Sequence, residues 1–491
     1  MGRAITKEDF DEQDYARFGA RLDECLRELR LTLERPGFGV GPATIGAELE
    51  LFLIDDAGRP LPENQAVCAA AADDRVTLEL SRFNLELNAT PTPLAGHSFS
   101  TLGHELESLL VKVAGAASGY AGRIAMIGIL PTLTRADLGP EMVTDMTRYH
   151  ALINGLRRLR QGAVHIKIES DDRLELTNED ITLEGANTSY QLHLRVNPDD
   201  FARVYNAVQL ATAPVLAVSG NSPTFLGRRL WAETRVALFK QAVEDRSRSG
   251  PRRRPARTAL GTGWIRGGAL DLLTESVRLY PAVLPAVSER TPGATGSWPP
   301  PLDELRLHQG TVWRWNRAIY DPGSGGHLRI EMRALPAGPT VADMMANSAY
   351  LIGLTLWLAD QDQHWTYALP FERADTSFHR AAEVGLAADL SWPTGGDRFR
   401  TVPAATLVTE LIPAARHGLT QAGVAAQEAD ELLDVISRRA RSGQTGAAWQ
   451  RATLAAAMKH HGPQDAFAYL LSRYMQCAAT GQPVHTWPVP H

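Results

Sequence analysis

The stretch ATIGAELELFLID, residues 43–55, indicates what kind of fold this chain adopts. It is rich in β-branched and apolar residues, and its two glutamates alternate with apolar neighbours, which predicts a β-strand. Because side chains alternate between the two faces of a strand, Glu48 and Glu50 share one face, and the apolar residues beside them occupy the other. The segment therefore predicts a sheet with one buried apolar face and two carboxylates on the opposite face.

Two neighbouring carboxylates on one strand face have two interpretations. They repel each other unless a cation or an arginine compensates. Mg²⁺ suits such a site, because it takes hard oxygen ligands and is usually bound by one or two carboxylates together with substrate phosphates. Two charges can equally lie at a solvent-facing sheet edge. The strand alone leaves the metal site and the charged edge evenly balanced.

A second stretch, VTLELSRFNLELNATP at residues 76–91, carries two more glutamates. It is predicted as one strand, with Glu79 and Glu86 framing its centre. Glu86 lies between two leucines, as Glu50 does. The repetition of the pattern makes both glutamates candidate metal ligands.

A later segment, HLRIEMR at residues 327–333, predicts a strand with three charged side chains on one face. Arg329, Glu331 and Arg333 alternate as cation, anion and cation. Such a row can hold one metal ligand and bind phosphate on both sides, since the planar fork of arginine suits phosphate oxygens. A cross-strand ladder of salt bridges is the simpler interpretation of this segment alone.

The segment TSYQLHLRV, residues 188–196, predicts a strand on which Gln191, His193 and Arg195 share a face. A strand histidine can be a hydrogen-bonding core residue or a ligand of a metal or phosphate. Taken alone, the core role is favoured.

The order of the predicted elements indicates an α+β fold. Strands and helices come in runs without a regular βαβα rhythm, which favours a mainly antiparallel sheet flanked by helices. We expect an N-terminal helical segment over residues 1–40, a catalytic domain over residues 41–400 and a helical C-terminal region over residues 401–491. Pro- and Gly-rich stretches at residues 245–261 and 291–304 predict linkers.

The bulk properties exclude several classes of protein. The 491 residues carry a net charge of −6, which gives no general attraction to nucleic acid. No stretch reaches the roughly 18 apolar residues of a membrane span. The three cysteines are widely spaced and form no CxxC pair, so they predict reduced thiols. We expect a cytoplasmic protein without a membrane partner, for which a nucleic-acid partner is disfavoured.

Taken together, these segments resemble the glutamate–cysteine ligases of the bacterial and plant type, which share the fold of the catalytic domain of glutamine synthetase. Each match is short, but they occur in the family's order. The matching segments are GAELELF (46–52), the pair Glu79 and Glu86 followed by Ala-Thr-Pro, NTSYQLHLRV (187–196), PVLAVSGNSPTFLG (214–227), WAETR (231–235) and HLRIEMRALPAGPTVAD (327–343).

The resemblance implies an ATP-dependent carboxylate–amine ligase that forms a γ-glutamyl-type amide through an acyl phosphate. It implies ATP and Mg²⁺ or Mn²⁺ as cofactors. The substrates would be a small carboxylate and a small amine or a peptide, and a homo-oligomer is compatible with it. The alternatives are a phosphotransferase acting on a guanidino-type acceptor and a non-catalytic nucleotide-binding homologue.

The resemblance also implies roles for individual residues. Arg235, Arg329 and Arg333 would stabilise the transferred phosphoryl group and the acyl phosphate. Gln191, His193 and Arg314 would contact the nucleotide, although core packing is the simpler role for Arg314. The expected metal ligands are Glu48, Glu50, Glu79, Glu86, His193 and Glu331.

One charged segment is not explained by the resemblance. Residues 246–257 carry six arginines without interleaved aromatic residues. A solvated loop is the first interpretation. A lid over an anionic substrate and a docking site for an acidic peptide or RNA are the alternatives.

Overall fold

The structure is a computed structural model, and it describes residues 5–179, 181–246, 254–289, 298–361 and 365–490. Most of the basic segment at residues 246–257 lies outside the described residues, as does the first half of the linker predicted at residues 291–304. The interpretations of the basic segment as a lid or a docking site therefore stay predictions.

In the described residues the main sheet is built from eight strands, and six further strands form three separate two-stranded sheets. The strands of the described residues are β1 (Thr44–Ile54), β2 (Val76–Leu78), β3 (Asn84–Asn88), β4 (Thr92–Pro93), β5 (Arg123–Ala125), β6 (Val164–Glu169), β7 (Arg173–Asn178), β8 (Tyr190–Val196), β9 (Thr224–Phe225), β10 (Arg228–Arg229), β11 (Asn316–Asp321), β12 (His327–Met332), β13 (Asp389–Pro393) and β14 (Phe399–Pro403).

Helices cover the sheet and make up nearly all of the C-terminal region. The α-helices of the described residues are α1 (Glu12–Leu33), α2 (Asn64–Ala71), α3 (Ser98–Ser118), α4 (Thr147–Arg160), α5 (Phe201–Ser219), α6 (Thr234–Ala242), α7 (Ala269–Leu279), α8 (Asp303–Gln309), α9 (Val341–Asp360), α10 (Trp365–Ala368), α11 (Phe371–Val384), α12 (Ala404–Gln421), α13 (Ala426–Ser442), α14 (Gly446–Ala457) and α15 (Pro463–Ala478).

The main sheet runs in the order β11-β12-β8-β1-β3-β2, with β4 and β5 also paired to β1. All of these pairs are antiparallel. The predicted α+β fold with an antiparallel sheet and a helical C-terminal region is therefore confirmed. Because β1 lies between β3 and β8, Glu48 and Glu50 are on a central strand. The interpretation of these glutamates as a charged sheet edge is wrong.

The apolar face of β1 packs into the larger of two hydrophobic clusters. Leu49 and Leu51 are fully buried there. The cluster also includes Phe18 of α1, Tyr350 of α9 and Leu433 of α13. Residues from the N-terminal helix, the sheet and the C-terminal helices thus share one core. The domain boundaries at residues 40 and 400 stay a prediction.

The helix α9 is buried on nearly all sides, because it packs against α5, α12, α13 and β8. The Thr340 side chain caps its first turn by accepting from the Asp343 backbone N–H. Within the described residues, α9 is the one helix long and apolar enough to cross a membrane, although we expected no such stretch. Because 83% of an apolar 18-residue stretch of α9 is buried inside the structure, this helix has the surroundings of a core helix.

Two of the predicted elements differ in detail from the structure. The strand predicted over residues 76–91 is a hairpin of β2 and β3, since residues 79–83 turn the chain back on itself. Glu79 consequently lies on the turn. The helix α8 occupies residues 303–309, so the linker predicted to end at residue 304 ends earlier.

Candidate active site

A cavity of about 790 Å³ lies against the polar face of the main sheet. Side chains of β1, β3, β8, β11 and β12 form its floor. The N-terminal half of α4, together with Leu273 of α7 and most of α8, lies on the other side. The period-two alternation that buries leucines in the core therefore points the glutamates of β1 into this cavity.

The first group of candidate metal ligands consists of Glu48, His193 and Glu331. One ligand atom of each lies within 4.8 Å of the other two. The His193 Nε2 atom is 3.2 Å from the nearer Glu48 oxygen and 3.9 Å from the nearer Glu331 oxygen. The sheet register explains this convergence. Glu331 on β12 lies directly opposite His193 on β8, and β8 is also the neighbour of β1, which carries Glu48.

The second group consists of Glu50, Glu79 and Glu86, whose ligand atoms also lie within 4.8 Å of one another. Glu50 and Glu86 are direct cross-strand partners, and Glu79 joins them from the turn after β2. Burial raises the pKa of Glu86 to about 8, and the charges of Glu48 and Glu50 add to this effect. Burial and the charge of Glu86 also raise the pKa of Glu79 well above its usual range.

Together the two groups meet the chemical requirements of a divalent-cation site. Three half-buried carboxylates that lie close together repel one another, and a bound cation or protons stabilise them. The second group offers oxygen atoms only, which suits Mg²⁺ or Mn²⁺, and the first adds one imidazole nitrogen. Each group therefore fits one divalent metal ion, the first at Glu48 and the second at Glu50.

Two arginines neutralise Glu331. The Arg317 Nε atom lies 2.6 Å from Glu331 Oε2, and the Arg333 Nη1 atom lies 3.2 Å from the same oxygen. Although burial acts in the opposite direction, these two guanidinium groups hold the pKa of Glu331 well below its usual range. The charged form of Glu331 is thus favoured by its two arginine partners, and the side chain lines the cavity.

His193 is oriented by Arg329. The Arg329 Nε–H donates to His193 Nδ1 at 3.1 Å, and the same guanidinium is paired with Asp321. Because Nδ1 accepts a hydrogen bond, the proton of a neutral imidazole is on Nε2, which faces Glu48 and Glu331. Metal binding by a neutral imidazole through Nε2 requires the other tautomer, with the proton on Nδ1, so Arg329 would have to give up its hydrogen bond to Nδ1.

Comparison with known proteins identifies the family of this chain. The sequence profile described as "Glutamate-cysteine ligase family 2(GCS2)" matches residues 44–468, which is most of the chain. The protein belongs to this glutamate–cysteine ligase family. The resemblance drawn from the short segments is therefore confirmed.

One curated relative of the family is a glutamate–cysteine ligase of Haloquadratum walsbyi. It is 26% identical over 194 residues, which are 38% of this chain and 45% of the relative. The match thus spans less than half the length of that relative.

Two solved structures of similar fold are ligases or synthetases. The glutamate–cysteine ligase of Francisella tularensis, solved in complex with AMP, aligns over 92% of this chain and 91% of its own, with a TM-score of 0.57 and 12% identity. A bifunctional glutathione synthetase from Pasteurella multocida aligns over 93% of this chain and 53% of its own, with a TM-score of 0.50 and 12% identity. At this identity the likeness shows a shared fold.

Most of the predicted site residues of this protein line the cavity described above. Gln191 connects the two ligand groups. Its Nε2 donates to Glu50 of the second group at 3.0 Å, and its Oε1 accepts from Arg333, which is paired with Glu331 of the first group. The predicted residues that line the cavity are Glu48, Glu50, Glu79, Glu86, Gln191, Arg329, Glu331 and Arg333. His193 reaches the site through the contacts to Glu48 and Glu331.

Two predicted arginines lie outside the cavity wall. Arg235 is buried, and it donates to Glu233 and to the Ala334 carbonyl, both at 2.7 Å. Arg314 is also buried and is paired with Glu275 at 2.8 Å. The Arg235 guanidinium thus donates through Nε and Nη2, and the Arg314 guanidinium donates through Nη2, in each case to groups of the protein outside the cavity wall. Direct contact of Arg235 or Arg314 with a nucleotide or acyl phosphate stays a prediction without support from their positions.

Several residues of the cavity were not predicted from the sequence. Arg317 and Asp321 belong to β11, where alternation in NRAIYD places them on one face, so a strand prediction there would have found them. Arg148 and Tyr149 come from the first turn of α4, and Glu184 comes from a short helical turn. None of these three has a local sequence pattern that signals a site.

The acidic group makes stability depend on pH and on metal. Since Glu79 and Glu86 have raised pKa values, the folded protein binds more protons than the unfolded chain between the usual carboxyl range and about pH 8. The contribution of these groups to the free energy of unfolding therefore falls as pH rises through that window. Without divalent ions, we expect the melting temperature to fall between about pH 6 and about pH 8.5.

Thermal melts of the wild type and Glu86→Gln, with and without Mg²⁺, check this expectation. Mg²⁺ should raise the wild-type melting temperature more at the higher pH, because fewer protons compete for the carboxylates. The difference in melting temperature between the two proteins reports on Glu86 and its group, because other titrating residues affect both proteins equally. A wild-type curve parallel to that of Glu86→Gln would show that the group does not titrate in this range.

Proposed function

We propose that this protein is an ATP-dependent carboxylate–amine ligase that forms an amide through an acyl phosphate. The observation that carries the proposal is the presence of two ligand groups beside one cavity, one containing Glu48 and the other containing Glu50. Arg317, Arg329 and Arg333 line the same cavity. Phosphoryl transfer requires positioning and charge neutralisation more than a covalent protein group. This cavity supplies both requirements.

The proposed reaction has two steps. A carboxylate oxygen of the first substrate attacks the γ-phosphorus of ATP, and ADP leaves. The nitrogen of the amine then attacks the acyl carbon, phosphate leaves, and the nitrogen loses a proton. Bound Mg²⁺ or Mn²⁺ would neutralise phosphate charge and orient the phosphate chain.

The protein's own groups have separate tasks in this scheme. Glu50, Glu79 and Glu86 would hold one ion, and Glu48, His193 and Glu331 would hold another. Arg333 and Arg329 border the first group, so they are placed to stabilise charge on the transferred phosphoryl group. The substrates are proposed to be a small carboxylate, with glutamate as the leading candidate, and a small amine or peptide.

The test is a product assay with the full chain. The protein is incubated with ATP, Mg²⁺ or Mn²⁺, glutamate and a panel of amines that includes cysteine, and ADP, phosphate and amide are measured. We expect ADP and amide in equal amounts, with little ADP when the amine is omitted. Absence of ADP across a wide panel of carboxylates and amines would exclude the ligase. A stable phosphorylated product without amide would instead identify a phosphotransferase.

A further inference from the structure

Three of the short segments that resemble the family meet outside the cavity wall. They contain NSP (221–223) after α5, ETR (233–235) at the start of α6 and ALPA (334–337) after β12. None of these residues is among the described residues that line the cavity. Their polar side chains are nevertheless buried, since Glu233 is 0% exposed and Arg235 is 3% exposed. Buried polar groups require partners, and those partners indicate what the three segments do.

The Glu233 carboxylate joins the first two segments. Its Oε1 atom accepts from the Ser222 hydroxyl at 2.6 Å and from the Arg235 Nε–H at 2.7 Å. Its Oε2 atom accepts from the Asn221 backbone N–H at 2.9 Å. An ion pair with two further donors satisfies a buried carboxylate and fixes the groups around it. Glu233 therefore determines where the Arg235 guanidinium points.

The segment ALPA is held at both ends by the other two segments. The Arg235 Nη2–H donates to the Ala334 carbonyl at 2.7 Å, and the Asn221 side-chain nitrogen donates to the Ala337 carbonyl at 2.8 Å. We call the four side chains of this arrangement the rear clamp: Asn221, Ser222, Glu233 and Arg235. Because the rear clamp is buried and includes charge-assisted hydrogen bonds, it holds ALPA in one place relative to the sheet.

Two groups of the candidate site depend on the position of ALPA. Arg333 directly precedes the segment, and its guanidinium is paired with Glu331. Ser189, the residue before β8, forms a β-bridge with Pro336. The Ser189 N–H donates to Glu50 Oε2 at 2.6 Å. A shift of ALPA would therefore move both the Arg333 backbone and the donor that orients Glu50.

We propose that Arg235 is a positioning residue, which sets the places of Arg333 and Glu50 through ALPA and touches no substrate. The inference rests on the proposed ligase function and gives Arg235 a role in it without contact to nucleotide or acyl phosphate. The charge of Arg235 also reaches the site. Burial raises the pKa of Glu50, and the charges of Arg333 and Arg235 act in the opposite direction.

Direct contact of Arg235 with a substrate is the alternative. The guanidinium already donates through Nε and Nη2, and the side chain is almost fully buried. A substrate group would have to break a bond to Glu233 or Ala334 in order to reach either donor. The partners of the rear clamp thus favour positioning over substrate contact.

The test is Arg235→Lys, which separates position from charge. Lysine keeps the positive charge but lacks the planar fork that donates to Glu233 and Ala334 in two directions. We expect kcat for ADP release to fall about 10- to 100-fold, with the KM values for ATP and the carboxylate within about threefold of the wild type. Mn²⁺ affinity, titrated without nucleotide, should fall about 3- to 10-fold because Glu50 is less well placed.

A second variant and a control accompany it. Ser222→Ala removes one donor to Glu233 and keeps every charge, so it should show the same pattern with a smaller fall in kcat. It decides the question if Arg235→Lys does not fold. The control is Arg439→Lys, which changes another buried arginine, paired with Asp343 outside the cavity wall. This control should melt at a lower temperature and keep the wild-type kcat, KM and Mn²⁺ affinity.

The outcomes separate positioning from the other roles and from the proposed function. A KM for ATP or the carboxylate raised about tenfold or more in Arg235→Lys, with kcat unchanged, would overturn the proposal in favour of substrate contact. A folded Arg235→Lys with wild-type kcat, KM and Mn²⁺ affinity would overturn it in favour of a purely structural role. If the wild type releases no ADP, the ligase proposal fails, and the Mn²⁺ titrations alone decide whether Arg235 positions Glu50.

Discussion

Replacing Glu48 with glutamine is expected to lower substrate-dependent ADP release by a factor of at least about 1000 while the protein remains folded. Glu48 is one of the two carboxylates in the group with His193 and Glu331. Glutamine keeps the shape of the side chain but loses the negative charge that attracts a divalent ion. Metal-assisted charge stabilisation amounts to several kcal/mol, and about 1.4 kcal/mol corresponds to a factor of ten in rate.

A coupled assay of ADP release, together with titration of Mn²⁺ binding, measures this effect. The matched control is Glu169→Gln, which removes a glutamate from the exposed face of β6 and should leave turnover unchanged. Near-ultraviolet circular dichroism verifies that both variants are folded. Wild-type turnover in Glu48→Gln would remove this residue from the metal site.

The second large effect concerns stability and lies outside the cavity. Asp343 is fully buried at the start of α9, where it is paired with Arg439 of α13 at 2.6 Å. The Asp343 carboxylate also accepts from the Val484 backbone N–H at 3.1 Å. This one side chain therefore ties α9 to α13 and to the C-terminal segment.

Replacing Asp343 with alanine should lower the free energy of unfolding by about 3–5 kcal/mol. The substitution leaves the Arg439 guanidinium buried without its counter-ion, and removal of one partner from a buried ion pair has a cost of this size. Chemical denaturation monitored by fluorescence measures the change. Because Asp343 is not among the residues that line the cavity, the folded fraction should still bind Mg²⁺.

An exposed ion pair on α13, which includes the sequence neighbour of Arg439, supplies the control. Arg438 and Asp434 lie 2.7 Å apart on the exposed side of α13. Asp434→Ala should change the free energy of unfolding by less than about 1 kcal/mol, since solvent screens exposed pairs. Similar losses in Asp343→Ala and Asp434→Ala would show that burial does not determine the strength of the inner pair.

Much of the candidate site was predictable because strand periodicity is local. Alternation alone placed Glu48 with Glu50 and Arg329 with Glu331, and the cavity contains all four side chains. The same rule did not find Arg317, because no strand is predicted at β11, which begins two residues after Arg314, where core packing is the simpler prediction. Arg235 was selected by resemblance, and its ion pair with Glu233 was not visible in the sequence.

Glu79 illustrates a different limit. The pattern around residues 76–91 is compatible with one long strand, and the turn within it has no proline or glycine. The hairpin pairs Val76 with Leu87 and Leu78 with Leu85, and burial of Val76, Leu85 and Leu87 in the core favours this register. That turn is what brings Glu79 beside Glu50 and Glu86.

The sequence by itself determined the α+β class, the faces of the strands and the chemical type of the site, because each depends on residue spacing within one segment. Only the tertiary structure decided how the ligands divide into the groups Glu48–His193–Glu331 and Glu50–Glu79–Glu86. That division follows from the strand order β12-β8-β1-β3 and its register, which long-range pairing sets.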